Sequence, residues 1–168
     1  MEYQHVTHEF PPLYDAESEI LILGSMPSPA SRKAQFYYGH PQNRFWRVMA
    51  AVLSEALPET VDEKAAMLLR HHIALWDSVE DCDIAGASDS SIRNVVPTDI
   101  PSLLRKTKIR RIFCTGAVSH RLYEKYNYPE TGIHAVRLPS TSPANCAVPL
   151  EKLIESYRAA AVDFHDRK

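Results

Sequence analysis

A short apolar run that stops at a glycine sets the fold class of this chain. Residues 20–23 are all Ile or Leu, and Gly24-Ser-Met-Pro-Ser28 follows them directly. A run of this length bounded by turn residues is typical of a strand that is buried on both faces. Because open α/β folds bind ligands at the carboxyl ends of their strands, we expect residues 24–28 to form part of a binding site.

Signals for strands and helices alternate along the rest of the chain. Short apolar runs predict further strands at residues 73–76, 111–114 and 134–138. Helical spacing of apolar residues, or capping residues, predict helices at residues 44–57, 60–70, 97–104, 117–126 and 149–162. Residues 77–94 are rich in acidic and small side chains, which predicts a loop that contains at most one short helix. The alternation indicates an α/β fold, a three-layer α/β/α sandwich with a central, mainly parallel four-stranded sheet.

The bulk composition is that of an ordinary globular protein. The chain has 168 residues, of which 45% are hydrophobic, and this predicts a single domain over residues 1–168. No apolar run approaches the roughly 20 residues of a membrane span, and the first residues lack the pattern of a signal peptide. The three cysteines, Cys82, Cys114 and Cys146, are widely spaced, as is usual in a reducing compartment. We therefore expect a cytoplasmic protein, associated with the nucleoid if it is prokaryotic.

The charge balance argues against a protein that holds nucleic acid by charge alone. The net charge is −2, whereas dedicated electrostatic DNA binders are strongly basic. A local basic face remains available, because Arg32, Lys33, Arg44 and Arg47 lie near the first loop in sequence. A second basic group, within residues 105–111, is interpreted as solvated surface.

Two loops and one aromatic segment favour a pocket for a flat, polar ring. Tyr37-Tyr38 and His40-Pro-Gln-Asn43 precede the predicted helix at residues 44–57, and Leu138-Pro-Ser-Thr-Ser-Pro-Ala-Asn145 leaves the last predicted strand. In a parallel sheet this second loop emerges at the same edge as residues 24–28, so the two loops can form opposite walls of one cleft. An aromatic surface beside an amide suits a nucleobase.

These segments resemble the uracil-DNA glycosylase superfamily, and most of all its mismatch-specific and hypoxanthine-DNA glycosylase branches. Residues 38–46, Tyr-Gly-His-Pro-Gln-Asn-Arg-Phe-Trp, are similar to a segment of the mismatch-specific enzymes, and residues 138–145 are similar to the second motif of the hypoxanthine-specific branch. The resemblance implies a monofunctional glycosylase of base excision repair that hydrolyses the N-glycosidic bond of deaminated bases, above all hypoxanthine (deoxyinosine). It implies double- or single-stranded DNA with a flipped-out base as the partner, a monomeric enzyme, and neither a metal nor an organic cofactor.

The resemblance also assigns the two central roles. Asn43 is the expected catalytic residue, whose amide oxygen would orient a water toward the sugar C1′. The structural alternative is that Asn43 caps the helix that follows, a common use of asparagine, and the two roles can coexist. Tyr38 is the expected stacking partner of the flipped base. The alternative is core packing, which we expect of one of Tyr37 and Tyr38, while Phe45 and Trp46 are assigned to the core.

The remaining site residues come from the two loops. The base pocket is expected to be lined by Gly24, Ser25 and Met26. Phosphate contacts are expected from Ser28, Ser140 and Ser142, and a wedge in the duplex from Thr141, Pro143 and Ala144. Asp77 receives no role, and Asp89 either helps to read the purine or caps a short helix.

Two positions depart from the pattern of the superfamily and weaken the case for uracil. Met26 stands where uracil-removing relatives usually carry an Asp or Asn that positions water, and Leu138 stands where many carry a His or Asn that binds the leaving pyrimidine. The alternatives are a G·U mismatch-type uracil glycosylase and a noncatalytic module that binds damaged DNA. A small-molecule hydrolase is disfavoured, because the chain has no nucleophile elbow, no Cys–His signature and no phosphate-binding glycine loop.

Overall fold

The computed structural model describes residues 2–86 and 88–160. Within these ranges the strands are β1 (Gln4–Thr7), β2 (Ile20–Gly24), β3 (Ile73–Asp77), β4 (Val79–Ile84), β5 (Arg93–Pro97), β6 (Arg111–Thr115) and β7 (Val136–Leu138). The helices are α1 (Pro29–Ala34), α2 (Phe45–Leu53), α3 (Val61–Arg70), α4 (Ile100–Arg105), α5 (Ala117–Leu122), α6 (Tyr128–Thr131) and α7 (Leu150–Ala160). Short 3-10 turns lie at Asp89–Ser91 and Pro143–Asn145, and a π-helical turn, Tyr123–Asn127, joins α5 to α6.

The central sheet contains β2, β3, β6 and β7 in the order β3-β2-β6-β7 and is parallel throughout. Its register sets Gly24 opposite Asp77 and Thr115 opposite Leu138. All four strands therefore end at one edge, and the loops that leave them meet there. The predicted fold class is confirmed.

Helices cover both faces of this sheet, as a buried parallel sheet requires. Ile20 and Ile22 point to one face and pack with residues of α2, α3 and α7. Leu21 and Leu23 point to the other face and pack with α4 and the π-helical turn. All four of these strand residues are 0% exposed, which is why the run lacks the polar alternation of a half-buried strand.

Some helix ends lie where the sequence predicts them, and others do not. The capping box is confirmed: Thr60 accepts a hydrogen bond from the Glu63 N–H, and the Glu63 carboxylate accepts one from the Thr60 N–H. The helix predicted to end at residue 57 stops at Leu53, because Ser54 adopts the left-handed conformation. The predicted end of α7, residue 162, lies outside the described residues. None of the described helices is long and apolar enough to cross a membrane.

A second, antiparallel sheet contains β1, β4 and β5 in the order β1-β4-β5. The prediction of a loop over residues 77–94 is therefore wrong, although its short helix matches the turn at Asp89–Ser91. Strand β4 is buried irregularly, and its pairing with β5 shifts register twice, so it carries no clean alternation of apolar and polar residues. Its apolar side chains pack with Val6 and Met26, which attaches this sheet to the first loop.

Candidate active site

A cavity of about 330 Å³ opens where the central strands end. The strands contribute Gly24, Asp77 and Thr115 to its wall, and both loops and the aromatic segment contribute the rest. All eleven residues that the sequence assigned to the base pocket, the phosphate contacts or the wedge line it: Gly24, Ser25, Met26, Ser28, Tyr38, Asn43, Ser140, Thr141, Ser142, Pro143 and Ala144. A cavity of this size lies in the range that binds small organic groups.

The aromatic ring of Tyr38 is held in place by Phe45, which stacks on one of its faces. Its backbone has a φ of 53°, and its ring stacks on Phe45 with centroids 3.9 Å apart and planes 12° from parallel. Its hydroxyl lies 3.3 Å from Oγ1 of Thr115. Burial, together with the negative charge of Asp77, raises the pKa of Tyr38 well above its ordinary value, so the hydroxyl stays neutral. Tyr37 takes the core alternative, since it is 3% exposed and donates to the Pro11 carbonyl.

The amide oxygen of Asn43 is held by two hydrogen bonds. Oδ1 accepts one from the Phe45 N–H at 2.9 Å and one from the Thr141 hydroxyl at 2.8 Å. The first bond satisfies a free N–H at the start of α2, although the N-cap position itself is held by Arg44, so Asn43 supports the helix from one residue before its cap. The catalytic role of Asn43 stays a prediction.

Arg44 ties the second loop to the start of α2. Its guanidinium donates to the carbonyls of Val148 at 2.6 Å and Asn145 at 3.1 Å, and its backbone N–H donates to the Thr141 carbonyl. Tyr157 of α7 adds an anchor by donating to the Pro139 carbonyl at 2.7 Å. The hydrogen-bonding capacity of Arg44, which the sequence left available for a local basic face, is therefore directed largely into the protein.

Asp77 and His8 form a buried pair that sequence analysis missed. Nε2 of His8 lies 2.8 Å from Oδ2 of Asp77, and the two side chains are 1% and 6% exposed. A Cβ atom on Gly24 would lie 2.5 Å from Oδ1 of Asp77, so the carboxylate lies directly against the glycine. Asp77 closes an apolar strand, which is a readable signal, whereas His8 is 69 residues away and has none.

Asp89 places a second carboxyl in the cavity wall, while the residue as a whole remains exposed to solvent. The loss of hydration there, together with the charge of Asp77, raises the pKa of Asp89, and a hydrogen bond from Ser25 opposes this effect. The sequence offered two roles for Asp89, and its position in the wall favours the one that involves the ligand.

Comparison with known proteins decides the family. The sequence profile of the uracil DNA glycosylase superfamily matches residues 11–161 of the chain. The chain belongs to this superfamily. A hypoxanthine DNA glycosylase of Methanosarcina acetivorans is 36% identical over 137 residues, which cover 81% of this chain and 86% of the relative. A hypoxanthine DNA glycosylase of Methanosarcina barkeri is 38% identical over 86 residues, which cover 51% of this chain and 54% of that protein.

A solved structure agrees with the assignment to the superfamily. The solution NMR structure of a candidate uracil DNA glycosylase from Methanosarcina acetivorans matches with a TM-score of 0.74 at 31% identity. The match covers 90% of this chain and 96% of that one. The predicted family and its fold are confirmed.

The two departures from the pattern of the uracil DNA glycosylase superfamily have different surroundings. Met26 lines the cavity, is 7% exposed and packs in the apolar cluster of the small sheet. Leu138 is 0% exposed and lies in the main core, behind the cavity. Neither side chain can polarise water or donate to a leaving base, so these functions must come from other groups.

The serines of the two loops already accept local hydrogen bonds. Ser28 caps α1 by accepting from the Ser31 N–H, Ser140 accepts from the Ser142 N–H, and Ser142 accepts from the Ala144 N–H. These bonds hold the loops in shape while using only the oxygen lone pairs. For Ser140 and Ser142, the hydroxyl protons have no acceptor among the described residues. Their expected phosphate contacts stay predictions.

Thr141 does not lie at the tip of its loop. It is 2% exposed, and its hydroxyl donates to Asn43, so the structure corrects its expected position in a DNA wedge. Pro143 is half-buried at the start of a 3-10 turn, and Ala144 beside it is exposed. Pro143 and Ala144 therefore form the outer surface of the loop.

The two basic groups lie at different ends of the central sheet. Arg32 lines the cavity, whereas the group within residues 105–111 lies at the amino end of the central sheet or just before it. There Lys108 pairs with Glu17 at 2.7 Å and Arg110 pairs with Glu19 at 3.3 Å. The second group is surface remote from the cavity. Within the described residues, no group of three or more His, Cys, Asp or Glu side chains is arranged to hold a metal ion.

Proposed function

We propose that this chain is a monofunctional DNA glycosylase that hydrolyses the N-glycosidic bond of deaminated bases, with hypoxanthine as its main target. Both curated relatives are named hypoxanthine DNA glycosylases, which supports the substrate class. The observation that carries the proposal is that one cavity combines an aromatic ring, an amide and a carboxylate, from Tyr38, Asn43 and Asp77. DNA is the substrate implied by the family.

The depth of the site supports a mechanism in which the target base is flipped out of the duplex. Gly24 and Ser25 in the cavity wall are buried, so a base that remains stacked in a duplex cannot reach them. Extrusion costs a few kcal/mol and is easiest for a base that pairs poorly, such as hypoxanthine opposite thymine. The weak pairing of a damaged base in the duplex therefore contributes to selectivity before the base enters the pocket. We expect one copy of the chain to act on one lesion.

Stacking on Tyr38 and a hydrogen bond to the Asp77 carboxylate can together recognise the purine. The ring of Tyr38 is backed by Phe45, which leaves its other face for the base. Asp77 is an acceptor when ionised, and hypoxanthine offers an N1–H donor that adenine lacks. A carboxylate at the Watson–Crick edge therefore accepts hypoxanthine and repels the N1 lone pair of adenine. Guanine also carries an N1–H, and its stronger pairing with cytosine opposes its extrusion.

The cavity favours direct hydrolysis. Its wall contains no lysine among the described residues, which supports attack by water rather than by an amine. The oxygen of water bonds to C1′, the C1′–N9 bond breaks, and its electron pair passes to the purine. The proton that water loses reaches the departing base through solvent. The products are an abasic site and free hypoxanthine, and the rate enhancement comes mainly from orientation and from fixed dipoles.

Contacts to the DNA backbone are assigned to the two loops. Ser140 and Ser142 have hydroxyl protons available for phosphate oxygens, and Ser28 and Arg32 lie on the opposite wall. Pro143 and Ala144 form the outer surface that would fill the space left by the flipped nucleotide. Such contacts hold the enzyme in register without reading sequence. We expect this repair reaction to take place in the cytoplasm, at the nucleoid if the source is prokaryotic.

Single-turnover cleavage of labelled duplexes tests the proposal. Each duplex carries one deoxyinosine or one deoxyuridine opposite each normal base, and alkali reveals abasic sites. We expect deoxyinosine to be cleaved, with the fastest cleavage opposite thymine, and Asn43→Ala to abolish it. Gln42→Ala is the matched control, because Gln42 is exposed and outside this cavity.

The alternatives give different results in the same assay. Cleavage of deoxyuridine alone would support the uracil-type enzyme and contradict the substrate assignment. Binding to damaged duplex without cleavage of either base would support a noncatalytic binding module.

A further inference from the structure

The hydrogen bonds around Asn43 fix which end of its amide is available to a substrate. A backbone N–H is always a donor, so the atom that meets the Phe45 N–H must be the oxygen, Oδ1. Because Oδ1 is an acceptor only, the Thr141 hydroxyl must donate to it, at 2.8 Å. An amide oxygen has two lone pairs, and both are now engaged.

The other end of the amide is unengaged. Among the described residues, none accepts a hydrogen bond from Nδ2 of Asn43, and that nitrogen carries two N–H donors. Asn43 is half-buried and lines the cavity together with Thr141. The expected role, in which the amide oxygen accepts a hydrogen bond from the attacking water, would need a third lone pair.

We propose that Asn43 acts as a hydrogen-bond donor, through Nδ2, to the departing base, and that Thr141 is the positioning residue that enforces this orientation. The inference rests on the proposed glycosylase activity and changes the role of its central residue. As the C1′–N9 bond breaks, its electron pair builds negative charge on the purine, whose ring nitrogens and carbonyl oxygen are acceptors. A donor fixed in advance stabilises that charge without reorganising during the reaction.

This role answers a chemical need that the second loop leaves open. Leu138 is fully buried in the core and offers no polar group, so the second loop supplies no side-chain donor at that position. The amide of Asn43 is a donor that the cavity offers in its place. It is rigid because its oxygen is held by α2 on one side and by the second loop on the other.

The variant Asn43→Asp distinguishes a donor role of this side chain from an acceptor role, because it changes the hydrogen-bonding groups at nearly constant shape. The introduced carboxylate keeps an oxygen for the Phe45 N–H and the Thr141 hydroxyl, but it replaces the NH₂ group by an acceptor. With saturating enzyme at pH 7.5, we expect the deoxyinosine cleavage rate to fall by about 100-fold or more, the usual effect of losing one such donor. Gln42→Glu is the control, because it adds the same charge one residue away and leaves the amide in place.

The pH profile of this variant distinguishes the two roles. When the introduced carboxyl takes up a proton it can donate again, so the rate of Asn43→Asp relative to the native enzyme should rise as the pH falls from 8 to 5. A variant that is as active as the native enzyme at pH 7.5, and loses activity on acidification, would overturn the inference in favour of an acceptor role.

Thr141 is tested by an isosteric pair of substitutions. Thr141→Val removes the hydroxyl and frees the amide to turn, so we expect the cleavage rate to fall by about 10-fold, roughly the 1.4 kcal/mol of one hydrogen bond. Thr141→Ser restores the hydroxyl and should recover most of the rate, which simple packing would not explain. Thr107→Val is the control, since Thr107 bonds the Leu103 carbonyl away from the cavity. Equal rates for the valine and serine variants would contradict a positioning role.

The inference and the proposed function fail in different ways. If the native chain cleaves neither deoxyinosine nor deoxyuridine, the glycosylase assignment is wrong and the role of Asn43 falls with it. If the native chain cleaves deoxyinosine and Asn43→Asp cleaves it equally well, only the donor role is wrong.

Discussion

Nε2 of His8 lies 2.8 Å from Oδ2 of Asp77, and this contact joins the two sheets at the floor of the cavity. His8 follows β1 of the small sheet, whereas Asp77 ends β3 of the central sheet. A buried carboxylate needs such partners, because an unpaired charge away from water is costly. The pairing leaves Oδ1 of Asp77 beside Gly24 and next to the space that a base would occupy.

Replacing Asp77 by asparagine should weaken the acceptor for the purine N1–H at nearly constant size, because it removes the negative charge and replaces one carboxylate oxygen by an NH₂ donor. We expect Asp77→Asn to slow deoxyinosine cleavage by roughly 10- to 150-fold, the value of a hydrogen bond to a charged group. His8→Gln should cause a smaller loss, because the carboxylate remains but is held less firmly. His5→Gln is the matched control, since His5 contacts Asp83 on the outer surface. Single-turnover rates provide the measurement, and an unchanged rate in Asp77→Asn would remove Asp77 from base recognition.

Removal of the Tyr38 ring should weaken binding of the flipped base. Stacking of one base on an aromatic side chain is worth about 1–3 kcal/mol, so Tyr38→Ala should weaken the complex by roughly 5- to 150-fold. Tyr38→Phe keeps the ring and loses only the contact with Thr115, so its effect should stay within about 3-fold. Affinity for a duplex with a non-cleavable deoxyinosine analogue gives the result. Tyr3→Ala, at an exposed tyrosine, is the control.

A methyl group at position 24 should displace the carboxylate of Asp77. The added Cβ would lie 2.5 Å from Oδ1 of Asp77, so Gly24→Ala should destabilise the fold by about 1–3 kcal/mol and slow deoxyinosine cleavage. The double variant Gly24→Ala, Asp77→Ala removes the clash. Its stability to urea should therefore exceed the value expected if the two single effects added. Simple additivity would show that the two positions do not interact.

Asp89 should destabilise the folded protein at neutral pH. Its folded-state pKa is raised, chiefly by loss of hydration, so the folded state binds this proton more tightly than the unfolded state. Stability then falls as the pH rises from the ordinary Asp pKa, about 3.9, through the raised folded value, and the penalty is constant above it. Asp89→Asn should therefore raise Tm at pH 7.5, and the gain should disappear below about pH 4. A gain that persists at low pH would indicate another cause.

The central sheet could be predicted because its signals are local. The run at residues 20–23 and the three later apolar runs each became a parallel strand. The signal is clearest for β2, which is buried throughout, and weakest for the edge strand β7, where Val136 and Arg137 are exposed. The small sheet could not be predicted in this way. Its middle strand, Val79–Ile84, holds acidic side chains next to buried ones and is recognisable only through its pairing with β1 and β5.

The site was predictable as a set of residues and less so as a set of roles. All eleven assigned residues line one cavity, because motifs at the ends of parallel strands must meet. Thr141 was placed at a wedge because its loop is polar and rich in proline, yet its hydroxyl is buried against Asn43. His8 escaped notice because a buried histidine in an irregular segment has no pattern, and its partner lies 69 residues away.

The anchoring of the second loop by Arg44 and Tyr157 has a consequence for synthesis of the chain. Arg44 binds the carbonyls of Asn145 and Val148, and Tyr157 of the last described helix binds that of Pro139. In a nascent chain the second loop therefore lacks its anchor from α7 until Tyr157 has left the ribosome. Copies that lack Tyr157 should therefore bind a damaged base more weakly, because one wall of the cavity has lost an anchor.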